Sequence, residues 1–286
     1  MLPRARHSPM IWKTHNRQFD LSQKGLTMGV LNVTSDSFSD GGQFLDPASA
    51  LAHARSLLEA GADVLDIGGE STRPGASPVD EAEEIRRVLP VIEALARETR
   101  VALSIDTMKP GVARAALEKG AEIVNDVTGL QNAEMRELIR STGCGAVAMH
   151  MKGTPRDMQD APFYGDILEE IRGFFRQTLE ACLRSGIDPL CLAFDPGIGF
   201  GKTLAHNLTL LRNLESLRVG ARPLVLGVSR KSFIAKVLGT SPLEDRHWPT
   251  VALTAYGRIR GAQIVRVHEV APNLQAMRMT EALLAP

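Results

Sequence analysis

The chain has 286 residues, 44% hydrophobic and 23% charged, with 33 basic side chains balanced by 33 acidic ones. That length can bury one large core and suits a single domain. Zero formal charge excludes a global electrostatic pull toward nucleic acid or a membrane surface, so small-molecule partners are expected.

In chain order, the leader MLPRARHSPMIW is basic but is interrupted by Pro9 and has no apolar h-region. No stretch is long enough to span a bilayer, and a cytoplasmic protein is expected. IWKTHNRQFDLSQKG then predicts an extended hairpin. After it, short β-rich runs alternate with amphipathic segments: TMGVLNV (27–33), ADVLDIGG (62–69), VALSIDT (101–107), AEIVNDV (121–127), GAVAMHM (145–151), LCLAFDPG (190–197), PLVLGVS (223–229) and AQIVRVHEV (262–270). The intervening DPASALAHARSLLEAGA places Pro47 after a candidate N-cap at Asp46 and Gly61 at a helix C-cap. PVDEAEEIRRVLPVIEALARET, KPGVARAALEKGA and DILEEIRGFFRQTLEACLRSGI repeat the helical pattern. Eight β-then-α units with no composition break predict a (β/α)8 TIM barrel with an N-terminal β-hairpin, in preference to a doubly wound open sheet. Residues 1–24 would form the extension and hairpin covering the barrel bottom, and 25–286 the barrel.

Nearly every predicted strand ends in polar residues: Asn32, Asp66 with Glu70, Asp106, Asn125 with Asp126, His150, Asp195, Ser229 with Lys231, and Arg266 with His268. Any one of them is most simply a helix cap or a loop hydrogen-bonder. In a barrel, however, all eight C-terminal ends converge on one face, and together they predict a pocket there.

The stretch DPGIGFGKT (195–203) looks like a phosphate loop. A Walker A motif needs glycine five positions before the glycine of its GK[ST], where this chain has Pro196, and Gly197, Gly199 and Gly201 do not fit GxGxxG. The phosphate-loop reading fails. What remains is a strand delivering Asp195, followed by a glycine-rich loop whose backbone can approach a flat ligand. Asp106, Asn125 and Asp195 suit the donors of an amino-pyrimidine edge, a hard-metal site, or an acid/base pair, and the residue types alone do not rank these.

Beyond its hairpin the chain resembles the dihydropteroate synthase family along nearly its whole length. The resemblance rests on MGVLNVTSDSFSDGG (28–42), DIGGESTRPGA (66–76), SIDT (104–107), NDV (125–127), MHM (149–151), DPGIGFGKT, GVSRKSF (227–233) and VRVHEV (265–270). It implies a transferase of folate biosynthesis that joins 6-hydroxymethyl-7,8-dihydropterin diphosphate to 4-aminobenzoate, with Mg²⁺ assistance and a carbocation-like step. By the same resemblance, Asp106, Asn125, Asp195, Lys231 and the apolar Met149 would hold the pterin. Asn32, Thr72, Arg266 and His268 would hold the diphosphate, with Asn32 also the Mg²⁺ ligand. Phe38, Thr72, Arg73, Pro74, Phe200 and Ser232 would form the aminobenzoate pocket, the site of sulfonamide action in the family, with Ser232 at a helix N-terminus. A homodimer is the family expectation.

The chain departs from the family pattern at Ser35, where proline is usual, at Glu269, where aspartate is common, and at HWPTVAL (247–253), which lacks a Gly-Ser before its helix. No covalent nucleophile is expected, and Ser35, Ser37, Ser39 and Ser71 are read as loop residues. The odd set Cys144, Cys182 and Cys191 is read as buried packing in a reducing compartment. His7, His15, His53 and His247 are read as surface or packing residues, His150 as a structural histidine, His206 with Asn207 as a helix cap, and DEAEEIRR as a solvated helix face. Two other functions share features of this pattern: a methyltransferase from a methylated folate to a corrinoid protein, which should lack Arg266, His268 and the Asn32 motif, and a non-catalytic pterin-binding protein.

Overall fold

The computed structural model describes residues 9–34, 47–72, 75–240 and 242–285. Two short strands, β1 (Ile11–Lys13) and β2 (Gln18–Asp20), pair antiparallel with Trp12 opposite Phe19, as the sequence predicts. Then come the parallel strands β3 (Leu26–Asn32), β4 (Val64–Gly68), β5 (Ala102–Asp106), β6 (Ile123–Asp126), β7 (Gly145–Met149), β8 (Leu192–Asp195), β9 (Val225–Leu226) and β10 (Ile264–Val267). Each lies inside its predicted apolar run, except that β3 begins one residue earlier, at Leu26. β9 is the shortest, with Pro223, which has no N–H to give a ladder, just before it. The pairing order is β8-β7-β6-β5-β4-β3-β10-β9, and a parallel bridge between Phe194 and Leu224 joins the two ends, so the sheet closes into a barrel rather than staying open.

The crossover helices are α1 (Pro47–Glu59), α2 (Glu81–Glu98), α3 (Pro110–Glu118), α4 (Ala133–Thr142), α5 (Ile167–Arg184), α6 (Leu204–Arg212), α7 (Ser232–Leu238), α8 (His247–Ile259) and α9 (Val270–Leu284). Their ends follow local chemistry. Asp80 and Asp166 accept from amides of the first turns of α2 and α5, and Gly143 closes α4 in the left-handed conformation at φ 67°.

Strand periodicity sorts the side chains. Leu65, Ile67, Leu103, Ile105, Val124 and Phe194 point outward and pack under the helices. The alternate residues point inward, and they change character along the strands. Near the strand starts they are Met28, Val64, Ala102, Ile123, Val147, Ala193, Val225 and Ile264, which form a separate cluster with Trp12 and Leu21 of the hairpin. Two or four residues further on they include Asp66, Ser104, Asp106, Asn125, Asp195 and Arg266, with Val30, Met149 and Gly227 between them. One end of the barrel interior is therefore apolar and plugged, and the other is polar.

The plug is pinned as well as packed. Trp12 is fully buried and donates its Nε1–H to the Cys191 carbonyl at 2.9 Å, while Thr14 Oγ1 and Arg17 Nε bond Glu122 at 2.9 and 2.8 Å. Trp12→Ala should cost about 3–5 kcal/mol of stability in urea denaturation. A loss below about 1 kcal/mol would show that the hairpin rests on the barrel without supporting it.

Candidate active site

Strand register determines which inward polar groups meet. Asp66 on β4 lies beside Val30 and Ser104; one layer above, Gly68 lies beside Asn32 and Asp106, and Asp106 beside Asn125. Met149 of β7 stands next to Asp195 of β8. Arg266 reaches in from β10, donating from Nε to Asp66 Oδ2 and from Nη2 to Asp106 Oδ2, each at 2.6 Å. Asn125 Nδ2 donates to the same Asp66 oxygen at 3.1 Å. The other oxygens, Asp66 Oδ1 and Asp106 Oδ1, are buried with no hydrogen-bond partner among the described residues.

These groups are electrostatically poised. Burial pushes the Asp106 carboxyl up to about 7; the Arg266 charge opposes the shift, and Asp66, Glu84 and Asp126 add to it. Burial also raises Asp195, against the Gly197 N–H that it accepts at 2.7 Å and the charges of Lys231 and Arg266. Lys231 is pulled down to about 7 by burial, with Asp195 opposing, and its ammonium lies 3.9 Å from the centroid of the Phe200 ring. Burial works against Arg266 too, but the charges of Asp66 and Asp106 outweigh it and hold the guanidinium above its ordinary range.

A cavity of about 340 Å³ opens over this layer, lined by Asn32, Thr72, Phe200, Lys231, Ser232, Arg266 and His268 among others. Below it a slot of about 20 Å³ is lined by Asn125, Met149, Asp195 and Gly227; Thr72, Asp106, Phe200, Lys231 and Arg266 border both spaces. His268 is held by Ser229, whose hydroxyl accepts the His268 amide at 3.2 Å and lies 3.0 Å from Nδ1. The structure thus gathers Asn32, Thr72, Asp106, Asn125, Met149, Asp195, Phe200, Lys231, Ser232, Arg266 and His268 around one opening. Phe38, Arg73 and Pro74, with Ser35, Ser37 and Ser39, lie outside the described residues.

Several expectations change on inspection. Asp66 is not a rim residue but sits fully buried inside the barrel, one layer below the mouth. In DEAEEIRR, Glu83 pairs with Arg86 and Arg87 at the surface as expected, yet Glu84 is completely buried against Lys109. The glycines after Asp195 serve the protein itself as much as any ligand. A Cβ on Gly197 would lie 1.9 Å from the His150 carbonyl and one on Gly201 2.3 Å from that of Lys152, so the loop is pressed against the end of β7. His150 is structural: its Nδ1 lies 3.0 Å from the buried Lys202 ammonium, and burial depresses it to about 3. His206 completes a capping box with Thr203.

His247 is more than packing, since its Nδ1 pairs with Glu269, which also accepts from Arg230 at 2.8 Å. The helix containing HWPTVAL begins at His247 itself. Ser232 does open α7, although that helix has only 7 residues. Met158, Arg230, Leu243 and Arg246 also line the cavity. Arg230 lies within the GVSRKSF motif; Met158, Leu243 and Arg246 come from segments between helices where no periodicity marks a facing side chain.

The family model described as pterin binding enzyme matches residues 28–268, which span the barrel and its polar end. The chain is 43% identical over 258 residues to the dihydropteroate synthase of Escherichia coli, covering 90% of this chain and 91% of the relative. Among solved structures, dihydropteroate synthase of Yersinia pestis with a sulfonamide drug superposes with a TM-score of 0.91 at 44% identity, covering 97% of this chain and 100% of that one. That of Xanthomonas albilineans with 4-aminobenzoic acid gives 0.90 at 41%, covering 98% and 100%. The chain belongs to the dihydropteroate synthase family.

Removing one partner of a buried ion pair leaves an uncompensated charge. Arg266→Ala should therefore cost about 3–5 kcal/mol in urea denaturation, and Arg266→Met with both Asp66→Asn and Asp106→Asn, which removes the two acids it pairs, should recover most of it. A triple variant as unstable as the single one would show that the cost lies in packing rather than in stranded charge.

Proposed function

We propose that this cavity joins 6-hydroxymethyl-7,8-dihydropterin diphosphate to 4-aminobenzoate, giving 7,8-dihydropteroate and diphosphate. The observation that carries the reading is the orphaned Asp106 Oδ1, buried beside Asn125 and across the slot from Asp195. A buried acceptor without a donor costs about 1–3 kcal/mol, which a ligand's planar N–H edge repays. Asp106, Asn125 and Asp195 would take the amino and ring N–H groups of the pterin, Lys231 would donate to its carbonyl side, and Met149 would wall its face. The chain has the Arg266, His268 and Asn32 set that the corrinoid methyltransferase alternative should lack. A silent binding protein is disfavoured by the same set.

Asp66 and Asp106 engage Arg266 through Nε and Nη2, leaving Nη1 for a diphosphate oxygen, with His268 and Thr72 alongside. Asn32, at the end of β3 on the cavity wall, offers one neutral hard oxygen. No group of three or more histidine, cysteine or acidic side chains able to hold a metal occurs among the described residues. That donor set fits Mg²⁺ carried largely by diphosphate oxygens and water, and the ion would neutralise charge on the leaving group. Breaking the C–O bond to diphosphate leaves a cation delocalised into the pterin. The aromatic amine then forms the new C–N bond and loses a proton to solvent. The residues bind and orient both partners, and no covalent intermediate is needed. Phe200 and Ser232, with Phe38, Thr72, Arg73 and Pro74, would receive 4-aminobenzoate, and a sulfonamide would compete there.

Outside the site, Trp248 is 71% exposed, and Val237, Leu238 and Ile259 on α7 and α8 are also exposed. A second copy of the chain covering this face would make a homodimer. Trp248→Glu should leave it monomeric by light scattering; an unchanged mass would place any interface elsewhere. No helix among the described residues is long and apolar enough to cross a membrane.

The decisive assay follows dihydropteroate formation with each component withheld in turn. Product should require the pterin diphosphate, 4-aminobenzoate and Mg²⁺; tight pterin binding without turnover would favour a binding protein. Pterin affinity should also peak near neutrality. As pH falls through about 7, Asp106 takes a proton and stops accepting; as pH rises through about 7, Lys231 loses its charge. Calorimetry across this range should show both limbs, with the acid limb diminished in Asp106→Asn, and a flat profile would remove this pair from the pterin contacts.

A further inference from the structure

The β4–α2 connection carries Thr72 to the wall of both the cavity and the slot, and its base is built on an unusual arrangement of charge. Lys109, at the turn between β5 and α3, donates from Nζ to Glu70 Oε2 at 2.6 Å and to Glu84 Oε2. Glu70 lies two residues before Thr72 and its side chain is 10% exposed; Glu84 is on α2 and is 0% exposed. Glu84 Oε1 has no hydrogen-bond partner among the described residues. One ammonium thus serves two buried carboxylates, at a desolvation cost that an apolar cluster would avoid. Stability alone does not explain such a cluster. Holding Glu70 and Glu84 in one fixed arrangement does.

The geometry around Lys109 is that of a brace. Glu70 Oε1 accepts the Val79 amide at 3.1 Å, so one carboxylate ties both limbs of residues 70–79 together. Arg87 Nη1 holds the Gly69 carbonyl at 3.0 Å. A Cβ on Gly69 would meet Val88 at 2.8 Å and the Glu84 stem at 2.9 Å, so the loop base lies directly on α2. Higher up, Gly75 donates its amide to the Pro155 carbonyl at 3.1 Å, joining this loop to the segment that supplies Met158 to the cavity. Burial disfavours the Lys109 charge, but its bonds to Glu70 and Glu84 outweigh that and keep the ammonium protonated. Lys109 itself does not line the cavity or the slot.

We propose that Lys109, acting through Glu70 and Glu84, is a positioning residue that holds the Thr72 loop against the cavity and thereby sets the affinity for the second substrate, 4-aminobenzoate. This rests on the reading of the cavity given above. The slot groups Asn125, Asp195 and Lys231 belong to other strand ends and would keep their positions without the brace; Asp106 lies three residues before Lys109 but is held by Arg266, and at a pH above about 7 it stays ionised with or without the Glu84 charge.

The test uses steady-state kinetics with both substrates and calorimetry of pterin binding on the full chain. Lys109→Met alone strands two buried acids, so the informative variant is Lys109→Met with Glu84→Gln, and Lys109→Arg is the rescue. The double variant should raise KM for 4-aminobenzoate about tenfold, less than the roughly hundredfold that a full 1 Å misplacement can cost, with kcat and pterin affinity within about twofold of wild type. Lys109→Arg should restore KM. If the double variant fails to fold by circular dichroism, Glu70→Gln, which keeps the Val79 acceptor, should still raise KM about threefold, a smaller loss of the same kind. An unchanged KM in either folded variant, or pterin affinity falling in step with it, overturns the role of Lys109 alone. A wild-type protein that makes no dihydropteroate overturns the functional reading first, and this role with it.

Discussion

The polar end of the barrel depends on one guanidinium. Asp66, Asp106 and Asp195 all project into the interior, and two of the three share Arg266 at 2.6 Å each. Without that cation, like charges in a desolvated layer would repel, and the inner positions of β4 and β5 would favour the apolar residues found one turn of the alternation below. Arg266 allows the layer to be acidic at all. Because it bridges β10 to β4 and β5 across the intervening β3, it also acts as a cross-tie, holding Asp106 at a fixed height for whatever lies in the slot. A bidentate, planar group suits this better than lysine would, since each of its nitrogens has a fixed direction.

Around this rigid layer the remaining chemistry is divided by the kind of backbone that carries it. Groups that face the slot and not the cavity come mainly from strand ends, where register fixes them within the sheet: Asn125 beside Asp106, Met149 beside Asp195. Groups facing the wider cavity come largely from connections, Thr72 after β4, Phe200 after β8 and Ser232 after β9. A fused, flat ring with a fixed donor pattern suits the first kind of wall. A smaller aromatic acid would suit the second, where loops can adjust to it.

The same division explains what could be seen in the sequence. Alternation made the strands legible, and the shift from apolar to polar inward positions made the pocket legible, because both are one-dimensional patterns of period two. Asp66 was misplaced by two residues' depth because VLDIGG continues past it, and nothing in a single strand says where the barrel rim falls. Glu84 reads as a surface residue because it sits in a charged run beside Glu83 and Arg86; in the fold it is buried, and its partner Lys109 is 25 residues away in sequence. Met158, Leu243 and Arg246 were invisible because their facing depends on how irregular segments fold back, and no periodic signal encodes that.

DPGIGFGKT shows how similar letters can support opposite physics. A phosphate loop keeps its amides free and its lysine at the ligand. Here the Gly197 amide is spent on Asp195, the Gly199 amide on Asn207 Oδ1 at 2.8 Å, and the Phe200 amide on the Gly197 carbonyl at 3.0 Å. Lys202 turns inward, 3% exposed, donating to the Phe200 carbonyl at 2.8 Å with the His150 ring beside it, and burial lowers it well below its ordinary value. Gln159 Nε2 and Tyr164 Oη occupy the Gly199 and Gly201 carbonyls at 2.6 and 2.8 Å. With its polar backbone internally committed, the loop has the Phe200 ring left to present. Its glycines are there so that the turn can lie against β7 closely enough for that ring to stand over Lys231 and close the slot from above.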